Sequence, residues 1–284
     1  MSAVHHEAII DYFRAKADSY DLVEEQVYWR LSDELLWTAL AEWTLPGLQT
    51  GFHFLDAGGG TGRWTDRIAR RRPDATGLLF DLSSDMTREA RAKAERGGYR
   101  NRIRIRNGAL ERVDELLDGE RFQLILMLHN VLGFVQDPGD VLRRLASLLE
   151  TNGRIVVFAP NRYHATYFNL ATGQLDEAES ASRGRGRFTP EMPPIWLFTP
   201  TELGAALAAA GLAVESMTGF PSVVYPGFQE TQKHGSSQRV SALLGDSVSF
   251  DRILELEKAL LAQPDVAARG NNLLAIARKH PDGR

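Results

Sequence analysis

The segment Phe54-Leu55-Asp56-Ala57-Gly58-Gly59-Gly60-Thr61-Gly62 constrains this chain more than any other stretch. A short apolar run, Gly51–Asp56, reads as a strand that ends on a carboxylate and runs into a glycine-rich turn. Glycine adopts positive φ without steric cost and has no Cβ, so such a turn bends sharply and lets backbone approach a ligand. A helical pattern begins near Arg63. Strand, glycine turn and helix in that order suit an α/β sheet with a ligand at its strand ends. The plain alternative is a tight strand-to-helix turn that binds nothing.

The rest of the chain repeats the strand–helix alternation, which points to a mostly parallel sheet with helices on both faces. Further strands are expected at Thr76–Asp81, Arg102–Asn107, Phe122–Leu128, Gly153–Ala159, Ala213–Gly219 and Asn271–Ala277. Asp137-Pro138 offers an N-cap followed by proline in the first turn, with Val141, Leu142, Leu145, Leu148 and Leu149 on one face. Asn152-Gly153 is expected to stop that helix. Thr199-Pro200-Thr201-Glu202 reads as a capping box. Residues 1–50 read as helices preceding the sheet, with Leu31, Leu35, Ala39 and Trp43 at helical spacing. Long stretches at 160–198 and 220–264 lie outside the alternation, and loops of that length are usually functional or disordered.

Composition narrows the function. A chain of 284 residues, 43% hydrophobic, can bury a substantial core. With no cysteine, disulfides, thiolate metal sites and cysteine nucleophiles are excluded. No His/Asp/Glu group has metal-ligand spacing, so no metal is expected. A formal net charge of −4 gives no global pull toward nucleic acid, though a local basic groove stays open. The N-terminus lacks the apolar stretch of a signal peptide, and runs such as Leu124–Leu128 are too short to span a bilayer. A soluble, cytoplasmic protein is expected.

Asp81, in Phe80-Asp81-Leu82-Ser83, is the second acidic residue at a strand end. A carboxylate roughly 20 positions past a glycine turn can accept both ribose hydroxyls of a nucleoside; a simple helix cap is the other reading. A dinucleotide fingerprint spaces its glycines G-x-G-x-x-G, whereas these fall as D-x-G-x-G-x-G. Taken with Phe122–Leu128 leading into His129-Asn130-Val131-Leu132, and Asn152-Gly153-Arg154 before a strand, the series resembles class I S-adenosylmethionine-dependent methyltransferases. The likeness is strong over residues 50–160 and looser to Arg278. Within that class, His129-x-Val131-Leu132, Asn169–Gly173, Phe188-Thr189-Pro190 and the tail Leu254–Glu257 through Ala277-Arg278-Lys279 look closest to the branch containing tRNA 5-carboxymethoxyuridine carboxylate methyltransferases.

The resemblance implies a Rossmann-like, doubly wound, mostly parallel seven-stranded sheet. It gives residues 1–50 as an N-terminal helical cap, and 51–284 as a core with acceptor-binding insertions at 160–198 and 220–264. It implies S-adenosyl-L-methionine held by Asp56, Gly58, Gly60, Gly62, Asp81 and Leu82, by Asn107, Gly108, Ala109 and Leu110 after the third strand, and by His129. The third-strand motif usually reads Gly-Asp-Ala, so the adenine contact here passes to Asn107 or backbone. Arg30 stands where related enzymes carry an arginine for the methionine carboxylate, and Tyr20 where they carry a lid tyrosine; a surface role is the alternative for Arg30. His129 is the candidate catalytic residue, as base or as positioning group; His164, His234 and Tyr225 are further candidate bases.

Methyl transfer needs mainly alignment of acceptor and methyl. Rings concentrated in the insertions, with Tyr163, Trp196, Phe198, Tyr225 and Phe228 foremost, suggest an apolar pocket for a small, partly hydrophobic metabolite methylated on O or N. The alternatives are a tRNA wobble-uridine carboxylate, and a methyltransferase-shaped protein that uses the cofactor without methyl transfer. For tRNA speak Arg96, Arg100, Arg102, Arg104 and Arg106, Arg70–Arg72 and Arg183–Arg187; a solvated arginine surface is the other reading. No membrane partner is expected, and oligomeric state stays open.

Overall fold

The computed structural model describes residues 2–224 and 238–279. Its centre is a seven-stranded sheet of β1 (His53–Ala57), β2 (Thr76–Asp81), β3 (Ile103–Asn107), β4 (Phe122–Met127), β5 (Leu149–Pro160), β8 (Leu212–Phe220) and β9 (Asn272–Lys279). A separate two-stranded hairpin is made by β6 (Arg185–Gly186) and β7 (Ile195–Trp196). The strand order is β3-β2-β1-β4-β5-β9-β8. The pairings among β1 to β5 are parallel, and β9 runs antiparallel to both β5 and β8. This is the expected Rossmann-like, doubly wound sheet.

Period-two alternation sorts the strand residues to two cores. On β4, Leu124 and Leu126 join Phe54, Phe158 and Ile276 on one face; Ile125 and Met127 join Leu55, Leu78 and Val157 on the other. Helices α1 (Ser2–Arg14), α2 (Val27–Ala39), α3 (Arg63–Arg71), α4 (Ser84–Arg96), α5 (Val113–Leu116), α6 (Val131–Phe134), α7 (Pro138–Ser147), α8 (Arg162–Ala171), α9 (Leu175–Ser182) and α10 (Pro200–Ala209) surround it. Leu31, Leu35 and Ile68 of α2 and α3 pack on the first face, and Leu142, Leu145, Leu203 and Leu207 of α7 and α10 on the second. Burying side chains of this size contributes about 1.5–3 kcal/mol each.

Local signals fix several ends as read. Asp137 caps α7 by accepting the Asp140 N–H at 3.0 Å, and the Thr199/Glu202 capping box on α10 is complete. The Asn152-Gly153 reading is corrected. α7 ends at Ser147, and β5 begins at Leu149, paired with Phe122 across a register shift. Gly153 lies within this irregular start of β5, where an added Cβ would come within 2.9 Å of the Phe122 carbonyl. Close backbone approach, not helix termination, explains that glycine. Among the described residues, no helix is long and apolar enough to cross a membrane.

The chain leaves β1 toward β2 and β3, then returns to place β4 on the other side of β1. Ligands of open α/β sheets bind at such a reversal, outside the carboxyl ends of the strands.

Candidate active site

Two cavities meet at that reversal. The first, with about 940 Å³ of empty space including its mouth, is lined by Asp56, Gly58–Gly60, Asp81, Leu82, Met86, Ala109, Leu110, His129 and residues of the N-terminal segment. The glycine loop shapes its floor. Gly58, Gly60 and Gly62 all have positive φ. The Gly58 N–H donates to the Phe80 carbonyl at 2.7 Å, fastening the loop to β2. At Gly60 nothing lies within 4 Å of where a Cβ would stand, so the loop is an open cradle there.

Asp81 crosses from β2 to the same loop. Its Oδ2 accepts the Gly60 N–H and its Oδ1 the Ser83 N–H, both at 2.8 Å. The cap of α4 is Ser83, which accepts the Met86 N–H, so helix capping does not account for Asp81. Burial raises the Asp81 carboxyl above its ordinary range, opposed by the two N–H bonds. Asp56 is buried, accepts the Thr65 hydroxyl at 2.6 Å, and is pushed up to about 6 by burial. A carboxylate with free lone pairs, a cradle of backbone and apolar walls from Leu82, Met86, Ala109 and Leu110 fit a nucleoside with a small zwitterionic arm.

The remaining expected residues divide. Asn107 and Gly108 do not line the cavity: Asn107 accepts the Thr87 hydroxyl at 3.0 Å, and Gly108 N–H donates to the Asp81 carbonyl at 3.0 Å. Gly62 is the left-handed N-cap residue of α3, behind the loop. Tyr20 lines both cavities, and burial pushes its phenol up to about 12. Arg30 is placed elsewhere. It is exposed, its guanidinium stacked 4.4 Å from the Phe250 ring, because α2 turns that face away from the cleft.

The arginine on the cavity wall is Arg63, one residue past the last glycine. It pairs with Asp33, and with Glu24 at 2.7 Å. Neither acid is adjacent to it in sequence, which is why the motif alone did not single it out. Burial raises Asp33 to about 6, against the pull of Arg63 and Arg67. The N-terminal segment is fastened over the cleft by Asp21, which accepts Thr61 and Lys93, each at 2.6 Å.

The second cavity opens beside the first and shares Phe13, Tyr20, Arg63, His129 and Phe134 with it. Tyr12, Lys16, Trp29, Phe168, Phe188 and Met192 are among its other wall residues, with Asn130, Asn271 and Asn272 at one side of the lining. Three of the residues expected to wall an acceptor pocket line neither cavity. Tyr163 is half exposed on α8. Trp196 packs under Arg185 and donates to the Gln136 carbonyl at 3.3 Å. Phe198 is core, packed with Leu203 and Leu207. Tyr225, Phe228 and His234 fall outside the described residues. His164 is buried, stacked on Phe188. Among the described residues no group of acids and histidines could hold a metal.

A family model, "Methyltransferase domain", matches residues 26–217. The chain belongs to that methyltransferase family. This methyltransferase is 26% identical over 225 residues to the tRNA 5-carboxymethoxyuridine methyltransferase of Escherichia coli O157:H7, covering 79% of each chain. It is 31% identical over 170 residues to a ubiquinone biosynthesis O-methyltransferase of Azorhizobium caulinodans, covering 60% of this chain and 62% of that one. In fold it is similar to the [4+2]-cyclase SpnF, with a TM-score of 0.57 and 17% identity over 87% of this chain and 81% of that one. A methyltransferase from Clostridium acetobutylicum aligns with a TM-score of 0.52 and 12% identity, covering 89% and 92%. The relatives' names span tRNA and small-molecule acceptors, so family membership sets the reaction class and leaves the acceptor to the site.

Proposed function

We propose that this methyltransferase uses S-adenosylmethionine to methylate an O or N atom of a small, partly hydrophobic acceptor held in the second cavity. When bound, the cofactor supplies an electrophilic methyl group. Asp81 holds the ribose hydroxyls, Leu82, Met86, Ala109 and Leu110 flank the base, and Gly58–Gly60 support the amino-acid arm. Arg63 takes the carboxylate end, with Tyr20 closing over it and residues 1–50 as the cap. The acceptor enters among Tyr12, Trp29, Phe168 and Phe188. Alignment and exclusion of water at the junction are what the protein contributes.

The observation that carries this reading is the aromatic second cavity meeting the first at Phe13, Tyr20, Arg63, His129 and Phe134. The arginines that favoured RNA are largely engaged within the protein. Arg102 donates to the Ala69 and Ala75 carbonyls at 2.9 Å, Arg104 pairs with Glu120, and Arg187 pairs with Glu177 at 2.9 Å. On the edge strand β3 such arginines also discourage edge-to-edge pairing.

The tRNA reading stands second on the 26% likeness to the tRNA methyltransferase. Labelled methyl offered with a metabolite extract, and separately with total tRNA from a strain lacking wobble-uridine ester formation, decides between them. Label in small organic products supports the proposal; nuclease-sensitive label in tRNA replaces it. Label in neither, with cofactor bound, promotes the reading in which the fold serves another reaction.

A further inference from the structure

Just past the end of β4 stand two residues with positive φ, His129 at 50° and Asn130 at 70°. Positive φ is uncommon outside glycine, though asparagine and histidine are enriched there, and here both residues are held by contacts. Asn130 donates its N–H to the Phe158 carbonyl at 3.1 Å and accepts the Asn272 amide at 2.5 Å. The His129 ring stands edge-on to Phe158, and its Nε2 accepts the Trp64 indole N–H at 2.5 Å. An indole N–H only donates. Nε2 therefore carries the lone pair and the ring proton sits on Nδ1, for which no acceptor is found among the described residues.

We infer that His129 serves the acceptor as a hydrogen-bond donor through Nδ1–H, that Trp64 is the positioning residue that fixes this tautomer, and that the acceptor is an oxygen anion already formed in solution. This rests on the reading of the second cavity as the acceptor site, and narrows it. A general base needs a free lone pair, and Trp64 occupies the one on His129. The charged and titratable groups facing the ring do not reverse this. Arg63 on α3 opposes an imidazolium, and with burial holds His129 down to about 3. Asp33 on α2 has its Oδ1 3.5 Å from Nε2, but its Oδ2 is committed to Arg63. Tyr20 stays a neutral phenol. Phe13 and Phe134, the other residues at the junction, carry no base.

Transfer to an anionic oxygen forms one O–C bond and breaks one S–C bond with its electron pair left on sulfur. Two opposite charges are cancelled and no proton is released. A neutral alcohol must lose a proton, and the His129 lone pair that could take it is already held by Trp64. An amine has one lone pair, which must attack the methyl and cannot also accept from Nδ1–H. A carboxylate, enolate or acidic phenolate has lone pairs for both.

The test is the tautomer itself, read from long-range ¹H–¹⁵N correlations of the histidines in the full chain, with and without S-adenosylhomocysteine. The expected result is a protonated Nδ1 and an unprotonated Nε2 at His129, unchanged from pH 5 to 8, with W64F giving mixed tautomers or titration in that range. A protonated Nε2 in the unmodified chain, or a W64F spectrum identical to it, overturns the assignment. If W64F fails to fold, the unmodified chain alone decides. The acceptor class is read from a panel of aromatic and branched carboxylic acids and acidic phenols and enols, with matched alcohols and amines, supplied with labelled S-adenosylmethionine. Transfer confined to the acidic members supports it; equal or preferred transfer to alcohols or amines, or none to any acidic member, overturns it. Absence of S-adenosylhomocysteine binding removes the cofactor reading and leaves the tautomer result standing.

Discussion

Asp81 Oδ2 accepts the Gly60 N–H at 2.8 Å, which ties the end of β2 to the loop that follows β1. One carboxylate thus sets the loop's shape and faces the cavity. Asp81→Ala is expected to weaken S-adenosylhomocysteine binding by about 1.5–3 kcal/mol, the worth of charge-assisted bonds. Because Ser83 rather than Asp81 caps α4, the far-ultraviolet circular dichroism should be unchanged. Calorimetric titration checks the affinity; an unchanged dissociation constant removes Asp81 from the ribose.

Arg30 and Arg63 make opposite predictions. Arg30→Ala should leave cofactor affinity as it is, since its guanidinium rests on Phe250. Arg63→Ala should raise the dissociation constant at least tenfold. It should also lower the melting temperature, because Asp33 is left buried without its partner. The reverse pattern would move the methionine carboxylate to Arg30.

The glycines of the loop differ in what they tolerate. Gly60→Ala faces only the left-handed backbone, a cost of about 1–2 kcal/mol. Gly58→Ala adds a Cβ 2.5 Å from Val131 Cγ1, so it should be the more destabilising in thermal melts. Combining it with Val131→Ala should restore part of the difference. Equal melting temperatures for the two single variants would mean that Val131 yields freely.

Asp56 predicts a pH dependence. Burial raises its carboxyl to about 6, so its contribution to stability is fully present below the ordinary carboxylate range and is lost as pH rises through about 6. Asp56→Asn removes that loss while keeping an acceptor for Thr65. The stability of the variant relative to the unmodified chain should therefore increase between pH 4 and pH 7.5, by on the order of 1–3 kcal/mol. Melts of the ligand-free proteins at both pH values measure it, and a constant difference would mean Asp56 titrates normally.

How much of this was legible in the sequence follows from how far each feature reaches along the chain. The glycine turn, Asp81 at its strand end and the caps at Asp137 and Thr199 are local, and neighbouring residues spell them out. The acceptor side is not local. Phe188, Phe168 and Trp29 come from distant segments to line one cavity, whereas Trp196 and Phe198, in an equally aromatic stretch, are held by Arg185 and by the sheet core. Composition marked the insertion as ring-rich, but only packing decides which rings face a cavity. Arg63 shows the same limit, since its role appears only once Asp33 and Glu24 fold against it. Asn152-Gly153 failed for a related reason: a glycine required by close approach to Phe122 is indistinguishable in sequence from one that stops a helix.

The position of β9 has a consequence for how the molecule is made. It is the latest of the sheet strands along the chain, yet it lies between β5 and β8. While a ribosome is still translating, β5 and β8 have emerged with no neighbour to join them, and each presents an open edge. The strands β1 to β5 can pair in the meantime, but the sheet closes only when residues 272–279 clear the exit tunnel. Closure of the sheet therefore waits for the insertion of an internal strand, and the interval before it is when nascent chains are most open to mispairing with one another.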